Sequence, residues 1–321
     1  SNTIIQFSAI QFCFTKTLLF YYINTFRSSK IQIKKINRMG SNHICLTYFS
    51  IAEVSTSKFT LVTALLDIGR GNWWEYRRTI ENYYQYLDNI LHLNVDLVIF
   101  LDDKSADYIY KRRRGLGFEQ KTKIIPISFY ELPFYAYIHK AEEIIKREQQ
   151  GIFWDSNWDE TMKHHPEGKS AIYNILVNSK PYFLYKISIE NPFSARFMVW
   201  LDAGYGHGNR SIFPKNYEWK PKFLPNKISL IQVTPPHDKI SRYTMADLYR
   251  KNWAVLSGGF IAGDIYALNR FYAYYYRVFA EMINQNRIDD DQTTMVLLVQ
   301  QHPQLFNIVH GDWFDAFKLF S

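Results

Sequence analysis

The sequence predicts an α/β fold in which helices flank a mostly parallel β-sheet. The chain has 321 residues, of which 47% are apolar and 21% charged, so it has ample material for a large hydrophobic core. From about Phe59 onward, short β-rich apolar runs alternate with segments of helical length. Strands that are separated by helices usually pair in parallel through right-handed crossovers. We therefore expect one domain over residues 58–321, preceded by an extension over residues 1–57.

The first part of this domain contains four clear strand patterns. Segments with helical length and apolar spacing separate them. The strand patterns are "KFTLVTALLDIG" (58–69), "VDLVIFLDD" (95–103), "KTKIIPISF" (121–129) and "ARFMVWLD" (195–202). The helical patterns are "WWEYRRTIENYYQYLDNILHL" (73–93), "YAYIHKAEEIIKREQQ" (135–150) and "GKSAIYNILVNSKPYFLYKISI" (168–189).

The pattern becomes less regular in residues 215–239, where four prolines predict loops and edge strands. A glycine-rich segment at 252–264 then leads into a tyrosine-rich helix from Ile265 to about Ile283. Another helix is expected after the acids at 289–291, because acidic residues interact favourably with a helix amino terminus. The chain closes on the apolar run at 306–314, which would form a last strand.

The amino-terminal extension is apolar but contains no membrane-spanning run. Its longest unbroken apolar stretch, Leu18 to Ile23, is far shorter than the roughly 20 residues that cross a bilayer. A basic stretch at 27–38 follows, so the extension either covers the domain or lies on an anionic membrane surface. The two cysteines, Cys13 and Cys45, match no disulfide framework or zinc-site spacing. They favour a reducing, cytoplasmic compartment, with one disulfide between them as the alternative.

Composition narrows the class of partner. Aromatic residues make up 17% of the chain and the net charge is +8. Aromatic rings with polar edges suit sugars or bases, and the positive charge favours a nucleotide, a nucleic acid or a membrane surface. The basic residues are scattered, with their densest cluster at 111–115, and no nucleic-acid recognition motif appears. Binding of single-stranded nucleic acid is therefore the alternative rather than the leading hypothesis.

Acidic residues follow the first two strand patterns, at the edge where open α/β sheets bind ligands. Asp67 precedes Gly69 and Arg70. The guanidinium of Arg70 could pair with a phosphate, or the segment could be a plain turn with a surface salt bridge. Asp102 and Asp103 either contact a nucleobase or ribose, or cap the next helix. The G-x-G-x-x-G fingerprint after a strand and the P-loop motif are both absent from the sequence.

The fourth strand pattern ends at Asp202, and the glycines that follow would let a ligand approach the backbone. One carboxylate there is enough to begin a site for a divalent cation that bridges phosphates. Each of the later segments that could converge on it also has a plain explanation as a turn, a helix cap or an exposed side chain. These segments are 258–264 with Gly258, Gly259 and Asp264, 289–292 with Asp290, Asp291 and Gln292, and 309–312 with His310.

The order of these motifs resembles the HtrL/YibB-type family of glycosyltransferase-like proteins. The matching segments are "TLVTALLDIGRGNW", "FMVWLDAGYG", "GGFIAGD" and "DDDQTTM", within roughly residues 59–314. More distantly, the order resembles nucleotide-sugar transferases of the glycogenin and lipopolysaccharide galactosyltransferase type. The resemblance implies a GT-A-like domain that transfers a sugar from a nucleotide-diphosphate donor, with a UDP-sugar favoured. The acceptor would be a saccharide or a lipid-linked glycan, in surface-polysaccharide or glycoconjugate synthesis.

The resemblance also implies a metal and a nucleotide-binding surface. Asp202 takes the first place of a metal-binding Asp-x-Asp motif whose third place is Gly204, so the second carboxylate is missing. His310 takes the place of a histidine that completes the shell of Mn²⁺ or Mg²⁺. The nucleotide would lie against Thr63, Ala64, Asp67 and Arg70, with Asp102 and Asp103 nearby, and the donor sugar or the acceptor against Gly258 and Gly259.

Catalytic roles differ between the two stereochemical outcomes, which the sequence leaves open. In an inverting reaction, Asp264 or Asp290 would deprotonate the acceptor hydroxyl. In a retaining reaction, Asp291 or Gln292 would lie beneath the sugar ring, as the resemblance implies. A further alternative is a catalytically inactive scaffold that keeps the fold, which the missing carboxylate at Gly204 permits.

Overall fold

A computed structural model describes residues 58–321 and three short strands of the extension, residues 10–15, 33–39 and 43–48. The chain divides into two compact units, 1–55 and 56–321. In the first unit, β1 (Ile10–Thr15), β2 (Ile33–Met39) and β3 (His43–Tyr48) form an antiparallel sheet in the order β1-β3-β2. The register of β1 and β3 sets Cys13 opposite Cys45. The residues between and beyond these strands, among them Leu18 to Ile23, lie outside the described residues.

The second unit is built on a seven-stranded sheet with the order β10-β8-β9-β7-β4-β5-β6. All neighbouring strands are parallel except β9, which is antiparallel to both β7 and β8. The predicted α/β fold with a mostly parallel sheet is confirmed. The strands are β4 (Phe59–Leu65), β5 (Asp96–Leu101), β6 (Thr122–Pro126), β7 (Phe197–Leu201), β8 (Ile228–Gln232), β9 (Phe260–Asp264) and β10 (Phe306–His310).

Helices cover both faces of this sheet, so its central strands are buried on both sides and read as continuous apolar runs. Alternate residues of one strand therefore enter different cores: Val62 packs in one hydrophobic cluster and Leu61 in the other. In the described part of the chain, no helix is long and apolar enough to cross a membrane. The helices are α1 (Ile80–Leu91), α2 (Asp103–Gly115), α3 (Ile138–Glu148), α4 (Pro166–Lys169), α5 (Ala171–Asn178), α6 (Lys180–Glu190), α7 (Met245–Leu248), α8 (Ile265–Asn284), α9 (Asp291–Gln301) and α10 (Ala316–Leu319).

Strand β8 differs from the expectation of loops and edge strands in residues 215–239. It lies inside the sheet, between β10 and β9, and all five of its residues are buried. The four prolines do not interrupt it because they flank it, at Pro221, Pro225, Pro235 and Pro236. A short apolar run between prolines can therefore form a central strand, provided that none of its own residues is proline.

Candidate functional site

A cavity of about 500 Å³ opens at the carboxyl edge of the seven-stranded sheet. Strands β4 and β7 end at this edge, and β9 begins there because it runs in the opposite direction. The N–H of Asp202, just after β7, donates to the carbonyl of Gly259, just before β9, at 3.1 Å. Residues predicted from separate segments thus line one cavity: Ala64, Asp67, Arg70, Asp202, Gly258, Gly259, Asp291 and Gln292.

A buried ion cluster forms part of the cavity wall, and sequence reasoning missed its central residue, Lys180. The Lys180 ammonium lies 3.0 Å from Oδ2 of Asp291 and 3.1 Å from Oδ1 of Asp202. It also donates to the carbonyl oxygen of Gly258 at 2.9 Å. The side chains of Lys180 and Asp291 are only 7% and 4% exposed, whereas that of Asp202 is 39% exposed. Asp202 is therefore the member of the cluster that a ligand in the cavity can reach.

Charge stabilises this cluster against the cost of burial. Burial lowers the pKa of the Lys180 ammonium, but Asp202 and Asp291 outweigh it and hold that pKa above its ordinary value. Burial raises the pKa of the Asp291 carboxyl to about 6, against the opposing effect of Lys180. Near neutral pH the ammonium is therefore charged and the Asp291 carboxyl is largely ionised.

Lys180 reaches the cavity because the chain breaks a predicted helix just before it. Much of 168–189 was expected to be helical, and it forms the separate helices α4, α5 and α6. At the second break, the hydroxyl of Ser179 donates to the carbonyl of Ile175 at 2.7 Å, and Pro181 lies in the first turn of α6, where proline is tolerated. Helix α6 therefore begins with Lys180, and the lysine side chain extends to the ends of β7 and β9.

Two arginines that follow β4 line the cavity, and they are bound differently. Arg70 is buried, and its guanidinium donates to the carbonyl of Tyr76 at 2.8 Å and to the hydroxyl of Tyr83 at 3.0 Å. Arg70 thus holds the loop in place. Arg78, by contrast, forms no ion pair and no side-chain hydrogen bond with any residue of 58–321. Its guanidinium remains available to an anionic ligand.

The glycine-rich loop after Asp202 forms one side of the cavity, with Gly206 and His207 in the left-handed region at φ 74° and 47°. Gly206 is required there, because a Cβ would also lie 3.2 Å from side-chain atoms of Ile212 and Phe213. Tyr205 anchors the loop, since its buried hydroxyl accepts a hydrogen bond from the N–H of Ala316 at 3.1 Å. Burial, together with the charge of Arg78, lowers the pKa of His207, so this ring is neutral near pH 7.

A second cavity, of about 250 Å³, adjoins the first, because Gln292 and Trp313 line both. The residues Trp253 and Trp313 are 47% and 39% exposed. The carboxyls of Glu167 and Asp290 belong to the same wall. Burial raises the pKa of Glu167 to about 7, and burial with the nearby acids also raises the pKa of Asp290. This cavity therefore combines aromatic faces with carboxyl groups of raised pKa.

The structure does not bring every predicted residue into these cavities. Asp264 lies opposite Phe197, at the amino end of β7, because β9 is antiparallel. It is buried and caps α8 by accepting the N–H of Ala267 at 2.8 Å, which corrects the expectation that it lies near the acceptor. Asp102 similarly caps α2. The predicted residues that line neither cavity are Thr63, Asp102, Asp103, Asp264 and His310.

The two predicted metal-binding residues also lie apart. His310 ends β10, which is three strands from β7, or about 14 Å at the usual spacing of about 4.8 Å per strand. Within the described residues, no group of three or more His, Cys, Asp or Glu side chains could hold a metal ion. Asp202 is paired instead with Lys180. These side chains do not fit the implied Mn²⁺ or Mg²⁺ site, and a metal requirement stays a prediction of the resemblance alone.

Comparison with known proteins identifies relatives over most of the chain. A profile of the family described as "Bacterial protein of unknown function (HtrL_YibB)" matches residues 57–321. Protein HtrL of Escherichia coli (strain K12) is 25% identical over 274 residues, which cover 82% of this chain and 93% of that protein.

Two solved structures are similar at a coarser level. Mouse xyloside xylosyltransferase 1, in its apo form, has a TM-score of 0.40 and 13% identity, over 82% of this chain and 94% of that chain. The 4-diphosphocytidyl-2C-methyl-D-erythritol synthase of Anaerococcus prevotii has a TM-score of 0.37 and 10% identity, over 82% of this chain and 91% of that chain.

Proposed function

This chain belongs to the HtrL/YibB family, and we propose that it acts as a glycosyltransferase. The observation that carries the proposal is the first cavity, where Asp202, Asp291 and Gln292 meet two cationic side chains, Lys180 and Arg78. We propose a nucleotide-diphosphate sugar as the donor, with a UDP-sugar favoured. A saccharide or lipid-linked glycan would be the acceptor, in the synthesis of a surface polysaccharide or glycoconjugate.

The cations of the cavity suit a diphosphate leaving group. Negative charge develops on the diphosphate as its bond to the sugar breaks, and preorganised positive charge at that point lowers the barrier. Arg78 offers a guanidinium that has no partner within residues 58–321, and Lys180 adds a charge held at a fixed position by Asp202 and Asp291. The glycines at 258 and 259 would allow the sugar ring to lie against the backbone.

The second cavity suits the acceptor. It meets the first cavity at Gln292 and Trp313, so an acceptor hydroxyl there would face the sugar of a donor in the first cavity. Sugars stack their apolar faces on exposed indoles, which Trp253 and Trp313 provide. Asp290 lies in the same wall, where its carboxylate also caps α9, and we assign to it the role of accepting the proton of the acceptor hydroxyl.

The transfer breaks the bond between the anomeric carbon and a phosphate oxygen, and forms a bond from that carbon to the acceptor oxygen. The acceptor hydroxyl gives its proton to a base. In an inverting reaction we assign this role to Asp290. In a retaining reaction Asp291 or Gln292 lies beneath the sugar ring and the leaving phosphate receives the proton. Both alternatives use the residues at the junction of the two cavities.

Binding of donors tests this proposal. Thermal unfolding would be measured with UDP-, GDP-, CMP- and dTDP-sugars, since a ligand of the native state raises the melting temperature. We expect one nucleotide class to stabilise the protein and Arg78→Ala to weaken its binding about tenfold, through loss of a charge-assisted hydrogen bond. Arg77→Ala is the matched control, because exposed Arg77 does not line the cavity and donates to the carbonyl of Gly71.

Absence of a shift with every donor would contradict the proposal. In that case, binding of single-stranded RNA or DNA that weakens steeply with salt would favour the nucleic-acid alternative. An equal loss of donor affinity in the Arg77 and Arg78 variants would place the donor outside the first cavity.

A further inference from the structure

We propose that Lys180 occupies the cation position beside Asp202 that the resemblance assigns to a divalent metal, and that Arg78 binds the donor diphosphate without a metal ion. This inference rests on the proposed function for the identity of the donor. Whether Lys180 or a metal occupies the cation position beside Asp202 can nevertheless be measured independently of any donor.

The coordination of the ammonium is complete in the structure. An ammonium has three N–H donors, and Lys180 donates to three acceptors within 2.9–3.3 Å: Oδ2 of Asp202, Oδ2 of Asp291 and the carbonyl of Gly258. Two carboxylates and a backbone carbonyl are also the oxygen ligands that a hard divalent cation prefers. The lysine therefore uses the donor set from which a metal site would otherwise be built.

The charges at the site are also consistent with Lys180 standing in the place of a metal ion. The carboxylates of Asp202 and Asp291 carry two negative charges, which one divalent ion would neutralise. Lys180 contributes one positive charge beside them, and Arg78, in the same cavity and unpaired within residues 58–321, contributes a second. A metal ion entering beside Asp202 would be repelled by the positive charge of the buried ammonium. It would also compete with the ammonium for the same oxygens.

The remaining predicted ligands do not provide an alternative metal site. Gly204 has no side chain with which to offer the second carboxylate of the motif. His310 is exposed and three strands away. Displacing Lys180 would leave its charge without its partners, and separating one member of a buried ion pair is strongly unfavourable.

The cluster also differs from an ion pair that only braces the fold. The Asp202 carboxylate is partly open to the cavity, and its orientation is fixed by the indole N–H of Trp200, which donates to Oδ1 at 2.6 Å. The Asp202 carboxylate is therefore rigidly held at the cavity surface, and Lys180 behind it compensates its charge.

Two experiments test the inference. The first measures Mn²⁺ binding by electron paramagnetic resonance, and the second measures nucleotide binding in Mn²⁺ and in EDTA. The proteins are the wild type, Asp202→Asn, Lys180→Ala and Lys186→Ala. Lys186 is the control because it lies on the same helix, α6, but pairs at the surface with Glu190. We expect the wild type and the Lys186 variant to bind nucleotide equally in both media and to show no Mn²⁺ site that depends on Asp202.

Lys180→Ala leaves Asp202 and Asp291 without their cation. We expect its nucleotide affinity in EDTA to fall by at least about tenfold, and its Mn²⁺ affinity to rise by at least about tenfold over the wild type. An Mn²⁺ site in the wild type that Asp202→Asn removes would overturn the inference, and so would nucleotide binding that EDTA abolishes. These wild-type results remain decisive if Lys180→Ala does not fold. If no nucleotide binds in either medium, the proposed function fails, while the Mn²⁺ titrations still decide which cation occupies the site.

Discussion

An Asp291→Asn variant is expected to transfer sugar about 10²–10³ times more slowly than the wild type, with donor affinity changed much less. The Asp291 carboxylate is buried at the first residue of α9 and fixed by Lys180 at 3.0 Å. Positive charge develops on the sugar ring only as the bond to the diphosphate breaks. Removing a negative charge beside the ring therefore raises the energy of the transition state more than that of the bound donor.

Steady-state kinetics with the donor found by thermal unfolding measure this effect as separate changes in kcat and KM. Asp103→Asn is the control, since Asp103 lies exposed in the first turn of α2 and lines neither cavity. We expect its kcat to equal that of the wild type. A fully active Asp291→Asn variant would remove Asp291 from the catalytic residues and leave Gln292 and Asp290 as the candidates.

An Arg250→Met variant is expected to lose about 3–5 kcal/mol of unfolding free energy. The Arg250 guanidinium is fully buried, 2.7 Å from Glu148 and 3.3 Å from Asp289. The hydroxyl of Tyr249 donates to the second oxygen of Glu148 at 2.7 Å. Methionine fills much of the volume but leaves two buried carboxylates without a cation. Since Asp289 precedes the cap of α9, the loss also loosens the segment that holds Asp291.

Urea unfolding followed by circular dichroism measures this loss. Arg112→Met is the matched control, because Arg112 pairs with Asp88 at the surface, where such pairs contribute about 0–1 kcal/mol. Similar unfolding free energies for the two variants would show that the buried network contributes no more than a surface pair.

The sequence was a good guide where burial alone determines the structure. Strands β4, β5 and β7 are buried on both faces, so each appears as a mainly apolar run that an acid follows within two residues. The position of β8 inside the sheet was not predicted, because the prolines on either side of its five residues favour loops and edge strands. The apolar spacing of 168–189 indicated helix over much of the segment but not its division after Ser179, because the break follows from Pro181, which has no N–H to continue the preceding helix.

For the candidate site, the order of motifs identified which segments meet but not how their side chains are placed. Because β9 runs antiparallel to β7, Gly258 and Gly259 before it lie at the cavity, and Asp264 at its end lies at the opposite edge of the sheet. A strand pattern does not reveal strand direction. Lys180 was overlooked because a lysine in a helical segment is usually solvated. The signal that could have found it is the adjacent Pro181, which marks a helix start.

The most direct test of the central claim is the release of nucleoside diphosphate from the donor identified by thermal unfolding. The wild type and the Asp291→Asn variant would be compared with and without added saccharide acceptors. The account predicts release by the wild type, faster release when a suitable acceptor is present, and little release by the variant. A wild-type protein that binds the donor but never cleaves it would contradict the account, and would identify the chain as a nucleotide-sugar-binding scaffold with a transferase-like site.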